Sequence, residues 1–167
     1  IQNDGRIIIA GQFDSFDNTL VHHIARLNSN GSLDSTYNSG QGTDGRIYAL
    51  ALQPDGKALI GGEFTSFNNN PVTHLARLNA DGSLDTTFHT GAGTNATVRV
   101  FALQSDGKIV MGGDFTSYNG DTCRYLVRLN TDGSTDTSFH TFNGADGRVV
   151  ALAIRPDGEI YLGGSFT

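Results

Sequence analysis

One cysteine, one methionine, three prolines and no tryptophan occur in 167 residues. The single thiol, Cys123, excludes an intrachain disulfide. Lysine occurs only at Lys57 and Lys108, and the net charge is −6. There is thus no basic stripe to meet phosphates, which argues against a nucleic-acid partner. No apolar run approaches the roughly 20 residues a membrane-spanning helix needs, so no membrane insertion is expected. The chain opens without an initiator Met or a signal-peptide pattern, and we expect it to be a piece of something longer. Charged residues make up only 17%. The surface must therefore rest on Asn, Thr, Ser, Gly and Asp, which compete with helical hydrogen bonds and favour turns. The 22 glycines show no triplet period, so a collagen-like chain is excluded.

What is abundant is repetition. The pairs Asp4-Gly5, Asp55-Gly56, Asp106-Gly107 and Asp157-Gly158 lie 51 residues apart. Gly61-Gly62, Gly112-Gly113 and Gly163-Gly164 keep that phase, with Ala10-Gly11 in the first copy. Phe13, Phe64, Phe115 and Phe166 follow them, and Arg26, Arg77 and Arg128 align, as do Tyr37, Phe88 and Phe139. Cys123 aligns with Val21 and Val72 and is read as a small apolar side chain.

Within one period, residues 46–53 alternate with the two-residue spacing of a strand, and "PDG" makes a tight turn. Residues 57–64 are nearly all apolar or Gly and read as a strand covered on both faces. A polar loop leads to a third strand over 73–79, a second Asp-Gly turn, and a short fourth strand over 84–88. No stretch carries helical spacing. Four antiparallel strands per unit, repeated head to tail, predict an all-β fold of β-propeller blades, because stacked copies cover the faces that one small sheet leaves bare. A β-solenoid would need parallel strands, which tight Asp-Gly turns do not connect.

The stretches "ALQPDGKALIGGEFTSFNN" and "LARLNADGSLDTTF" resemble the delta-60 repeat, a propeller-forming repeat of large secreted and surface-exposed bacterial proteins. The resemblance covers the whole chain, with Ala10 and Thr135 as departures. It implies a propeller fold and an extracellular or cell-surface location, and it carries no catalytic residues to transfer. The chain divides into a partial blade over 1–45, units over 46–96 and 97–147, and a partial blade over 148–167. Rings have roughly four to eight blades. Either further blades of a longer chain or pairing of two chains would complete one. Residues 157–166 repeat the strand supplied by 5–13, leaving one copy surplus in a simple pair, so cover by neighbouring blades is expected.

Several residue sets could carry chemistry. Asn79, Asp81, Ser83 and Asp85 place oxygens on alternate residues, a weak calcium candidate, although no bidentate Glu follows. The competing reading is a hairpin turn with local side-chain caps. Arg26, Arg77 and Arg128 sit in apolar strands and need carboxylate or carbonyl partners; Asp34, Asp85 and Asp136 are the candidates, making structural pairs. An anion site once per blade is the sharper alternative. In the variable loops, Phe16, Phe67 and Tyr118, with Asn68 and Asn119, are candidates for a sugar platform, or else plugs of the inter-blade core. No histidine has zinc-ligand spacing, no Ser has a nucleophile elbow, and no glycine loop has the Gly-Lys-Ser/Thr of a phosphate cradle. We therefore expect no catalytic residue and no cofactor. The leading expectation is a non-enzymatic scaffold, adhesion or protein-interaction module, partnered by protein or by neighbouring blades. A carbohydrate-binding propeller, and part of an enzyme whose active site lies outside this segment, are the alternatives.

Overall fold

The computed structural model describes residues 1–141 and 144–167. Every regular element among them is a strand, and every pairing is antiparallel. The first unit holds β1 (Ile7–Ala10), β2 (Ser15–Phe16), β3 (Thr19–Leu20) and β4 (Ile24–Leu27). The second holds β5 (Ile47–Leu52), β6 (Ala58–Gly62), β7 (Ser66–Phe67), β8 (Asn70–Pro71) and β9 (Leu75–Leu78). The third repeats it as β10 (Val98–Leu103), β11 (Ile109–Gly113), β12 (Ser117–Tyr118), β13 (Asp121–Thr122) and β14 (Leu126–Leu129). The last contributes β15 (Val149–Ile154) and β16 (Ile160–Gly164).

The two central sheets run β5-β6-β9 and β10-β11-β14, while β1 pairs with β4 and β15 with β16. These are propeller blades. The middle strands β6 and β11 are wholly buried, because each is sandwiched between neighbouring units. The first strands β5, β10 and β15 lie side by side from blade to blade. Two apolar clusters result. One joins Ile8 and Ile24 to Ile60, Phe64 and Phe67; the next joins Leu59 and Leu75 to Met111, Phe115 and Tyr118.

The fourth strand is shorter than its sequence suggests. It survives as one bridge per blade: Leu27 to Leu33, Leu78 to Leu84, and Leu129 to Thr135. The cause is the next residue. Asp85 Oδ1 accepts from the N–H and hydroxyl of Thr87 at 3.0 and 2.6 Å, and Phe88 N–H returns to the Asp85 carbonyl at 3.3 Å. A side chain that bonds two residues ahead turns the backbone away from the ladder. The loop after each second strand differs in the other direction, since it contains a two-residue hairpin (β2-β3, β7-β8, β12-β13). Its tips are Asp17-Asn18, Asn68-Asn69 and Asn119-Gly120, all at positive φ, as a type I′ turn requires.

Each first strand also carries a bulge opposite the Gly-Gly pair. Pairing skips Tyr48 between Ile47 and Ala49, Arg99 between Val98 and Val100, and Val150 between Val149 and Ala151.

Candidate functional site

The repeated Arg-Leu-Asn…Asp-Gly…aromatic motif forms a joint between blades. Arg77 Nε donates to Asp85 Oδ2 at 2.7 Å within its own blade, and its NH1 donates to the Thr131 carbonyl of the next blade at 2.6 Å. Its guanidinium lies over the Phe88 ring, 4.4 Å from the centroid. That ring packs on the next turn: a methyl at Gly133 would sit 3.0 Å from Phe88 Cε2. His89 N–H closes the joint on the Asp132 carbonyl at 2.7 Å. The preceding junction has the same parts. Arg26 bonds Asp34 and the Ala80 carbonyl, both at 2.7 Å, Tyr37 lies against Gly82, and Asn38 N–H reaches the Asp81 carbonyl at 2.6 Å. Each arginine thus has a carboxylate and a carbonyl as partners, which a buried cation requires.

The third copy holds its internal half ready. Arg128 Nε lies 2.7 Å from Asp136 Oδ2 and the guanidinium covers Phe139 at 4.5 Å. Among the described residues, its NH1 bonds Gln104 Oε1 at 3.4 Å in place of a carbonyl of a following blade. The equivalent Gln53 leaves its buried Oε1 without a partner, as does Gln2, because Arg77 and Arg26 reach forward instead.

These carboxylates are held as anions. Asp34 is lowered to about 2, by the Thr36 hydroxyl first, against the opposing effect of burial, and then by the Thr36 N–H and Arg26. Burial acts on Asp85 in the upward direction, but Lys57, Thr87 and Arg77 outweigh it and hold the carboxyl well below its usual range. Lys108 and Ser138 do the same for Asp136. A carboxyl lowered by folding lends stability above its unfolded value of about 3.9 and loses it as pH falls through the folded value. Urea midpoints should therefore be level from about pH 7 to 5 and fall steeply below about pH 4. A midpoint unchanged at about pH 2.5 would contradict this.

The calcium candidates Asn79, Asp81, Ser83 and Asp85 are engaged in local bonds. Asp81 Oδ1 accepts from the N–H and hydroxyl of Ser83 at 2.9 and 2.6 Å, and Asn79 Nδ2 donates to Ser83 Oγ and the Leu84 carbonyl. Asp85 faces Arg77 and Lys57, away from Asp81's role in the turn. The geometry is that of a capped turn, and among the described residues no three His, Cys, Asp or Glu side chains cluster as a metal site.

The sugar-platform candidates need correction. Phe67 is 0% exposed and Tyr118 1%, so neither offers a face to solvent. Both are pinned by the loop that enters their own blade, through bridges to Thr43 and Thr94, and the small hairpin folds them inward. Phe16, beside no such loop among the described residues, is half-buried. Tyr118 also donates its hydroxyl to the Gly133 carbonyl at 2.6 Å. Tyr118→Phe should cost about 1–2 kcal/mol in urea unfolding, since a buried carbonyl loses its donor. Asn68 and Asn119 are clamps: their Oδ1 atoms accept from the N–H groups of Gln41 and Ala92 at 3.2 and 3.1 Å.

A second polar row lies along the bulged starts of the first strands, and the repeat does not mark it. Arg99 forks onto Asp114 at 2.6–2.9 Å and lies over the Tyr48 ring at 5.1 Å. Tyr48 Oη reaches Glu63 Oε2 at 3.1 Å, Arg46 approaches Glu63 at 3.5 Å, and Arg148 approaches Asp114 at 3.6 Å. This row ties three blades together.

The match to known families falls on the joint. Residues 2–37, 53–88 and 104–139 match the family described as a domain of unknown function (DUF5122) beta-propeller. The chain belongs to the DUF5122 β-propeller family. Each DUF5122 match opens on the glutamine before an Asp-Gly turn (Gln2, Gln53, Gln104) and closes on the joint aromatic (Tyr37, Phe88, Phe139). Each complete match therefore spans the second and third strands of a blade with the arginine, its aspartate and the joint aromatic, and leaves out the first strand. No curated protein matches the chain.

Cys123 is half-buried, and burial first, then Asp121, pushes its thiol up to about 11. Only thiolate alkylates, so the folded chain at about pH 8 should react with iodoacetamide at least about 100-fold more slowly than the urea-unfolded chain. Equal rates would show a reactive thiol.

Proposed function

We propose that this DUF5122 chain is a non-enzymatic propeller module, a rigid platform that presents its hairpin tips to a protein partner. One observation carries the reading: the recurring polar groups are consumed in holding blades together, while the exposed tips differ from copy to copy. Asp34, Asp85 and Asp136 serve the arginine joint, Asp44 accepts from Thr65 and Ser66, and Asp114 is forked by Arg99. Carboxylates held low in this way are poor proton carriers near neutral pH. The tips and the short strands that return from them vary in sequence, with exposed Thr19-Leu20, Asn70-Pro71 and Asp121-Thr122 just beyond the tips at matching places. Variable loops on a rigid frame are where recognition is tuned.

The finer family assignment we propose is the delta-60 repeat, with the extracellular or cell-surface setting and adhesive or scaffolding role it implies. A net charge of −6, with Lys57, Lys108, Arg77 and Arg128 committed to ion pairs, agrees with a protein rather than a nucleic-acid partner. Among the described residues no helix is long and apolar enough to cross a membrane. The carbohydrate alternative loses its aromatic platform with the burial of Phe67 and Tyr118.

The test is a three-way binding and turnover comparison. The chain is assayed on a glycan array, on a panel of chromogenic glycosides and esters, and against purified bacterial surface proteins. We expect saturable protein binding that is lost when Asn70-Pro71 and Asp121-Thr122 are exchanged for Ser-Gly. Turnover of any substrate, or glycan binding once per blade, would overturn the proposal.

A further inference from the structure

The two complete blades leave a cleft between them. Their first strands, β5 and β10, lie side by side, and at their starts Arg99 crosses onto the Tyr48 ring. At their ends the turns part. The backbone bonds of each turn close within it, with Gly56 N–H on the Gln53 carbonyl at 3.0 Å and Gly107 N–H on the Gln104 carbonyl at 2.9 Å. Each turn also leans on the second turn of its own blade. A methyl at Gly56 would lie 3.4 Å from Ala80 Cβ, and one at Gly107 would lie 2.9 Å from Thr131 Cγ2. The cleft that remains, of about 420 Å³, is lined by Leu52, Gln53 and Pro54 on one side and by Leu103, Gln104 and Ser105 on the other. All six belong to blades that have a neighbour on either side within the chain. The lining is a feature of the repeat, since Leu52-Gln53 and Leu103-Gln104 share one place with Ile1-Gln2.

Three features of the cleft point to one occupant. Leu52, Pro54 and Leu103 make it apolar, and its volume suits one large side chain with the backbone that carries it. Its rim is acidic. Asp106 stands between the lining residues Ser105 and Gly107, and Asp55 follows Pro54. Both are exposed, and each spends one oxygen on a local cap, the N–H of Lys57 or Lys108 at 3.1 Å. Those lysines send their ammonium groups the other way, onto Asp85 and Asp136 at 2.8 Å. Finally, Gln53 Oε1 is buried without a partner, and the terminal torsion of a glutamine turns at little cost. We propose that the cleft is a docking site for a protein segment that inserts one aliphatic side chain between Leu52 and Leu103, donates a backbone N–H to Gln53, and sets a neighbouring lysine or arginine on Asp55 or Asp106. Apolar burial supplies the affinity, and the carboxylates select the segment by charge. The surface is separate from the hairpin tips. β6 runs from Ala58, opposite Leu52, back to Gly62, opposite Ile47, so the tips that follow it lie at the other end of the blade.

The experiment titrates the isotope-labelled 167-residue chain with the peptide acetyl-Gly-Leu-Lys-Gly-amide and follows the backbone amide signals by NMR. We expect saturable shifts at Leu52, Gln53, Leu103 and Gln104 with a Kd of about 5 mM or tighter, a modest affinity suited to one anchor. The peptide with Ala for Leu should bind at least about tenfold more weakly, because most of the buried apolar area is gone. The peptide with Glu for Lys should bind about threefold or more weakly at low salt, and added salt should narrow that gap. Ser105 is exposed, so Ser105→Trp should fill the cleft and abolish the shifts with circular dichroism unchanged. Asp55→Asn with Asp106→Asn should erase the preference for Lys over Glu while keeping an oxygen for each turn cap. Absence of saturable shifts up to about 20 mM peptide overturns the proposal, since even a weak single-anchor site fills at that concentration. So do shifts centred on the tips at Asn68 and Asn119, equal affinity of the unaltered chain for the Lys and Glu peptides, or binding indifferent to Ser105→Trp. Cleft shifts that appear on raising the protein concentration alone would make a second copy the occupant and overturn it too.

Discussion

Arg77→Ala is expected to lower the unfolding free energy by about 3–5 kcal/mol, the loss typical when one partner of a buried ion pair is removed. Its side chain is 9% exposed and that of its partner Asp85 3%. Removal leaves Asp85 with Lys57 as its one cationic partner, takes the donor from the Thr131 carbonyl, and strips the cation from the Phe88 face. Arg77→Lys should recover less than half of the loss. An ammonium is a point charge that cannot fork between a carboxylate in one blade and a carbonyl in the next while stacking on a ring. Urea denaturation of the three proteins measures this. An Arg77→Ala loss below about 1 kcal/mol would place the joint among solvent-screened surface pairs and remove its structural importance.

Gly62→Val is expected to cost about 3 kcal/mol or more, at the upper end of overpacking. Gly62 faces the bulge at Tyr48, and a side chain there would run into the carbonyl oxygen of Arg46 and the Cα of Ile47. Both obstacles are backbone, so no rotamer change relieves them. Urea unfolding of Gly62→Ala and Gly62→Val beside the parent measures this, and a Val loss below about 1 kcal/mol, inside the range of tolerated substitutions, would show that the bulge does not require glycine.

The legible parts of the fold were those written in side chains at a fixed phase. The first two strands of each blade show as alternation in residues 47–52 and as an apolar run in 58–62. The offset of eight between Arg77 and Asp85 points to their pairing. What the sequence concealed was mostly backbone. The Thr131 carbonyl that receives Arg77 lies fifty-four residues away and has no side-chain signature. The fourth strand looked extended because Leu84, Thr86, Thr87 and Phe88 favour strands, but capping by Asp85 decides the segment locally. The small hairpin was written only in Asn119-Gly120, a type I′ pair, and its polar flanks hid it. For Phe67 and Tyr118 the loops left two readings open, a platform or a plug of the inter-blade core, and what decides for the plug comes from other loops, at Thr43 and Thr94. The row from Arg46 to Arg148 was hidden for another reason: those two arginines share one place in the repeat, but Thr97 stands there in the copy between them, and Tyr48, Arg99 and Val150 differ at a second place, so a search for repetition passes over the row.

The forward reach of each arginine has an evolutionary consequence. Every seam is made by the same few groups, with the donor on one unit and the receiver on the next. A duplicated stretch of gene therefore brings both halves of its own fastening. As far as the arginine joint is concerned, units can be gained or lost in whole numbers without retuning their neighbours; the contacts that would need retuning are those of the second row, where Arg99 lies over Tyr48 and Arg148 approaches Asp114.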